Sequence, residues 1–194
     1  MDKSPTTEEL KLSETKAKGK LSLLRHKLSQ KAKAEPRFRF YALYDRIYRK
    51  DVLWAAWEKV RANGGKGGVD GVSIEAIEKA AGGAAQWVGT LHQELRSKTY
   101  KPKAVRRVYI DKPDGRKRPL GIPTVGDRVV QTACLLILEP IFEADFSSHS
   151  HGFRPGRSAF SALRELYSQV RGGRVYIVDV DIEKFQASRG GRAV

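Results

Sequence analysis

Hydrophobic positions fall at helical spacing over most of the chain and switch to alternation in two places. Leu43, Tyr44, Ile47 and Tyr48 recur three and four apart, and a second helix runs through Trp54, Trp57 and Val60 to the glycines at 64–65, with Asp51 placed to cap it. Ser73 caps a helix through Ile77, and Trp87, Val88, Leu91 and Leu95 form the stripe of another. After Pro102 the period changes. Val105 to Ile110 reads as a strand, Pro113-Asp114-Gly115 as a turn, and Arg116 to Ile122 as the returning arm of a hairpin. Pro119 and Pro123 confine that arm to an edge or an irregular strand.

A long apolar helix follows, with Val125, Val129, Val130, Ala133, Leu136, Ile137, Ile141 and Phe142 on or near one stripe and Pro140 placed to kink or divide it. Beyond the turn GFRPGRS, Ser158 caps a helix whose Phe160, Leu163, Tyr167 and Val170 are expected to face inward, and which stops at Gly172 and Gly173. The final predicted element is a strand from Arg174 to Ile182. Its alternation places Val175, Ile177, Asp179 and Asp181 on one face and Tyr176, Val178, Val180 and Ile182 on the other.

Charge adds what hydropathy leaves out. The 194 residues carry a net +15, and a balance that basic points to polyanions, meaning nucleic acid or an anionic membrane surface, unless it only solvates the surface. Residues 1–36 hold nine Lys/Arg against five Asp/Glu with few apolar positions beyond Leu21, Leu23, Leu24 and Leu28, the pattern of a mobile basic arm with at most a short helix. Residues 96–128 hold eleven Lys/Arg against three Asp/Glu, placed on the hairpin, where a phosphate-rich ligand is expected to sit.

Several chemistries are set aside. One cysteine, Cys134, lies in an apolar run, so disulfides and cysteine-rich zinc sites are excluded, and His149 and His151 around Ser150 read as a polar turn. GGKGGVDG at 64–71 lacks the GK[ST] ending of a P-loop and reads as a turn, with phosphate contact by Lys66 as a lesser option. No signal-peptide core or long uncharged apolar stretch is present, which predicts a cytoplasmic protein without membrane contact.

Asp179 and Asp181, on one face of an apolar strand, are either paired with Lys/Arg or ligands of a cation. The basic hairpin upstream weights the second, because phosphoryl transfer needs carboxylates for Mg²⁺ and cations for the triphosphate.

In order, GGVDG, YKPKAVRRVYIDKPDGRKRPLGIPTVGDRVVQ, EPIFEADF, HGFRPGRSAF and VDVDIEKF resemble the N-terminal half of group II intron-encoded reverse transcriptases and maturases, over roughly residues 40–185. The resemblance implies an α+β fold, mainly helical, with a β-hairpin and a terminal palm strand: the fingers and the beginning of the palm of a right-hand polymerase. Its division would be a basic N-terminal extension at 1–36, fingers at 37–173, and a first palm strand with a divergent tail at 174–194. The implied activity is RNA-directed DNA synthesis with Mg²⁺, with template and intron RNA, DNA primer and dNTP as partners.

By the same resemblance Asp181 is the first catalytic, metal-binding aspartate. Arg107, Lys112 and Arg118 hold the incoming triphosphate. Arg106 belongs to the RNA-binding surface, and Arg154 and Arg157 face template or primer phosphate, unless they pair with Asp145 or Glu143. Asp179 matches no metal position and is expected to pair or face solvent. The match departs after Phe185, where QASRGGRAV replaces palm sequence, and no Tyr/Phe-x-Asp-Asp hairpin occurs. A truncated or frame-shifted reading frame is therefore expected, with a two-metal site short of ligands. Two functions stand at this point: an RNA-directed DNA polymerase by descent, present as an inactive fragment, or a non-catalytic RNA-binding module using the hairpin and the N-terminal arm.

Overall fold

A computed structural model describes residues 7–111, 113 and 115–180, with side chains described from residue 18 outside the hairpin turn. It is mainly helical with one two-stranded antiparallel hairpin. The order is α1 (Thr7–Ala34), α2 (Tyr44–Ile47), α3 (Lys50–Asn63), α4 (Ile74–Lys79), α5 (Gly83–Arg96), β1 (Arg106–Asp111), β2 (Lys117–Ile122), α6 (Val125–Phe142) and α7 (Ala159–Arg171).

The core is built on α6. Val125, Val129, Ala133, Leu136 and Ile137 keep to one stripe and are buried, and α3 lays Val52, Leu53, Ala56, Trp57 and Val60 against them. Val88, Leu91 and Leu95 of α5 and Ile74 and Ile77 of α4 close the far side. Trp57 is almost fully buried, its ring 5.4 Å from that of Trp87. Ser73 caps α4 by accepting a hydrogen bond from the Ala76 N–H, as its position predicts.

Five local expectations are corrected. The N-terminal segment forms the 28-residue α1, because Leu21, Leu24 and Leu28 make a narrow stripe that fits against α6 and α3, with Lys18, Lys20, Lys27 and Lys33 exposed. Asp51 does not cap α3. Arg49 takes both its oxygens, at 2.9 and 2.7 Å, and this pairing holds the guanidinium proton more tightly than usual.

Pro140 does not divide α6; it sits within the last turn of one helix. A proline there has no N–H for the Leu136 carbonyl four residues back. Arg25 of α1 supplies the missing donor, Nη1 to Leu136 O at 2.7 Å, and its Nη2 pairs with Glu139 at 2.5 Å.

The last two corrections share a cause. α7 forms, with Ser158 and Ser161 in a reciprocal capping box, but none of its residues is buried, and Phe160, Leu163, Tyr167 and Val170 are exposed. Residues 174–180 carry no regular secondary structure and are exposed, so the expected strand is not seen over them. An apolar pattern specifies a face; it does not supply the surface that covers it, and no described element pairs with residues 174–180. Among the described residues no helix is long and apolar enough to cross a membrane.

Candidate nucleic-acid interface

The hairpin projects its side chains into solvent on both faces. Arg106 lies opposite Ile122, Arg107 opposite Gly121, Val108 opposite Leu120, Tyr109 opposite Pro119, Ile110 opposite Arg118 and Asp111 opposite Lys117. Because side chains alternate, Arg106, Val108, Ile110, Arg118, Leu120 and Ile122 share one face, and Arg107, Tyr109, Asp111 and Lys117 share the other. Arg107 and Arg118, grouped from the sequence as triphosphate contacts, are thus on opposite faces, and Arg106 is the arginine that shares a face with Arg118. Lys112 and Asp181 lie outside the described residues.

A buried polar hub fixes this ribbon to the helical core. Asp127, 5% exposed, accepts from Tyr100 Oη at 2.5 Å, from Thr124 Oγ1 at 2.6 Å and from the Lys103 N–H at 3.3 Å. Thr124 is also the N-cap of α6, accepting from the Asp127 N–H at 3.1 Å. Residues 100 and 103 lead into β1 and residue 124 follows β2, so both roots of the hairpin end on one carboxylate. Burial, and then the hydrogen bond to Asp127, hold the Tyr100 phenol proton well above its ordinary value. The Thr-x-x-Asp spacing at 124–127 is the sequence signal for this hub.

The glycine-rich loop closes the same joint from the other side. Arg128 donates to Gly64 O at 3.0 Å and Lys66 O at 2.9 Å, and Lys103 pairs with Asp70 at 3.2 Å. A Cβ on Gly68 would come within 2.6 Å of Thr124 Cα, which is why this loop tolerates no side chain there.

The second basic cluster is the turn between α6 and α7. Arg154 pairs with Glu143 rather than facing outward: Nε and Nη2 reach its carboxylate at 3.0 and 2.6 Å, and Nη1 donates to the carbonyls of Ser147 and Ser150 at 2.6 and 2.8 Å. Its side chain is only 7% exposed. The Arg154 hydrogen bond holds the Glu143 carboxyl below its usual range, with Arg157 and Lys33 adding to the effect. Arg157 has no hydrogen bond or ion pair from its side chain among the described residues. His149 and His151 both hydrogen-bond Glu165 of α7, the latter at 2.7 Å, which lowers the Glu165 pKa and makes this the polar turn the sequence predicts.

The described residues do not suit a divalent ion: no group of three or more His, Cys, Asp or Glu side chains among them converges on one point, and Asp179 is exposed.

No family model matches the chain. Among curated proteins, group II intron-encoded protein LtrA of Lactococcus lactis subsp. cremoris is 38% identical over 147 residues, 74% of this chain and 23% of that protein. Protein YkfC of Escherichia coli is 38% identical over 152 residues, 77% of this chain and 39% of that protein. Nuclear intron maturase 1, mitochondrial, of Arabidopsis thaliana is 36% identical over 104 residues, 52% and 14% respectively. The chain therefore spans well under half the length of these relatives. Over about three quarters of its own length it is homologous to group II intron-encoded proteins and intron maturases, and it corresponds to a small part of them.

Proposed function

We propose that this chain is the fingers region, with the start of the palm, of a group II intron reverse transcriptase and maturase, and that its own task is to hold RNA. The observation that carries the reading is the basic hairpin, exposed on both faces and anchored at both roots by the Asp127 hub. A ribbon held that way brings its cations to phosphate without first being ordered, so less of the contact energy is lost on binding. Arg106 and Arg118 flank the exposed Val108, Ile110 and Leu120, a face for phosphate and sugar together, while Arg107 and Lys117 border Tyr109 on the reverse. In an RNA-directed DNA polymerase such cations would neutralise charge on the incoming triphosphate and the template. Mg²⁺ would supply Lewis acidity to that reaction, and Asp181 is the residue of this chain proposed to ligate it.

RNA binding by the exposed ribbon is the reading for this chain, with RNA-directed DNA polymerisation as the alternative. The test combines two measurements on the full chain. Affinity for a structured intron RNA should fall linearly with salt on logarithmic axes, and Arg106→Gln with Arg107→Gln should shallow the slope by roughly 0.7–0.9 per cation removed. An unchanged slope removes the hairpin from the interface. RNA-templated primer extension with Mg²⁺ should give no product; product that disappears in Asp181→Asn would establish polymerisation by the chain itself.

A further inference from the structure

Phe153, in the turn between α6 and α7, is held where burial cannot explain it. Its side chain is fully exposed and its backbone lies at φ 56°, in the left-handed region that disfavours any residue with a large side chain. Water gives a phenyl ring no favourable contact, and glycine at this position would remove the conformational cost. The support beneath it is rigid. Arg154, the next residue, is turned inward onto Glu143 and the carbonyls of Ser147 and Ser150, and its guanidinium stacks 5.1 Å from the Phe146 ring. Pro155 fixes its own φ, Gly156 reverses the chain at φ 69°, and the Arg157 N–H closes the turn onto Arg154 O at 3.2 Å.

Three cations act on the carboxylate that anchors this platform. Arg154 is balanced by Glu143, whereas Arg157 and the exposed Lys33 of α1 make no hydrogen bond or ion pair with any described residue, yet both act electrostatically on that same carboxylate. The turn thus offers the fully exposed Phe153 ring, beside the half-exposed Phe146 that Arg154 covers, with surplus positive charge on the same scaffold. Gly152 and Arg154, which flank Phe153 in the chain, add no apolar side chain to its ring. One planar ring bordered by cations matches one base and its flanking phosphates.

We propose that Phe153 is a stacking platform for an unpaired RNA base, with Arg157 and Lys33 receiving the adjoining phosphates. The inference rests on the RNA-holding function above and adds to it a preference for single strands and a second contact away from the hairpin.

The experiment compares binding of the full chain to a fluorescent oligouridylate of roughly 12 nucleotides and to an RNA duplex of similar length. Phe153→Ala should weaken oligouridylate binding roughly 5- to 100-fold and leave duplex binding within about twofold, while Phe153→Trp should retain the parent affinity. Phe153→Gly removes the ring and the unfavourable φ together, so its melting temperature should equal or exceed the parent's while oligouridylate binding falls as in Phe153→Ala. Parent-like oligouridylate binding by Phe153→Ala or Phe153→Gly overturns the proposal. So does an equal loss on the duplex, or loss in Phe153→Trp, which would mean a structural role or a protein-docking one. If the parent chain binds neither RNA, the broader RNA-holding function fails with it; if the parent binds and the variants are silent, only the stacking platform fails.

Discussion

Two side chains whose importance is not visible in their residue type hold the molecule together. Asp127 is acceptor for three donors at once, so its removal leaves a half-buried phenol, a buried hydroxyl and an amide without partners. Asp127→Ala should cost about 2–4 kcal/mol in urea unfolding and Tyr100→Phe about 1 kcal/mol; a loss below about 0.5 kcal/mol for Asp127→Ala would show that the hub does not bear on stability. Arg25 acts through an orphan carbonyl that Pro140 creates. Arg25→Ala should therefore be more damaging in the parent than in a Pro140→Ala background, where the helix regains its own donor, with a difference of about 1 kcal/mol in a double-mutant cycle. Equal costs in the two backgrounds would mean that Arg25 matters only through Glu139. The Thr124-x-x-Asp127 spacing announces a cap, but the three donors that meet there come together only through tertiary packing, and nothing near Arg25 in sequence points to a carbonyl 111 residues away.

Among the elements, α3, α5 and α6 are legible as amphipathic stripes because each stripe is broad and has a neighbour to bury it. The hairpin is legible from Pro113-Asp114-Gly115 and its flanking alternation, although which residues share a face follows from register, which composition does not set; register puts Arg106, and not Arg107, on the face of Arg118. α1 is illegible for the opposite reason: its charge hides a stripe of three leucines. α7 forms locally, through its capping box and its contacts with the preceding turn, and has no buried residue of its own. The depressed pKa of Glu165 makes that docking pH-dependent. A carboxylate lowered in the folded state stabilises above its ordinary value of 4.5, and the contribution is lost as pH falls through the lowered folded value. Amide resonances of α7 and residues 147–157 should shift together as pH falls below 4.5, while those of α3 and α6 stay in place. Simultaneous shifts throughout all these helices would mean that α7 is not an independent unit.

For the whole molecule, the order and spacing of the motifs mark the homology to group II intron-encoded proteins and intron maturases, whereas the division of labour between faces of the hairpin and within the 147–157 turn is structural. Two basic regions emerge on separate parts of one scaffold, the ribbon rooted in the Asp127 hub and the turn rooted in Arg154, whose charge Glu143 partly cancels. The docking of α1 against α6 has a further consequence during synthesis. α1 is made before α6, and the Leu136 carbonyl that its Arg25 clamps is 111 residues downstream. At ~5–20 residues per second, this helix waits on the order of ten seconds before its seat is complete. Through that interval Leu21, Leu24 and Leu28 have only the α3 side of their seat, so α1 is made well before it can reach its final place, and its many lysines keep it soluble while it waits.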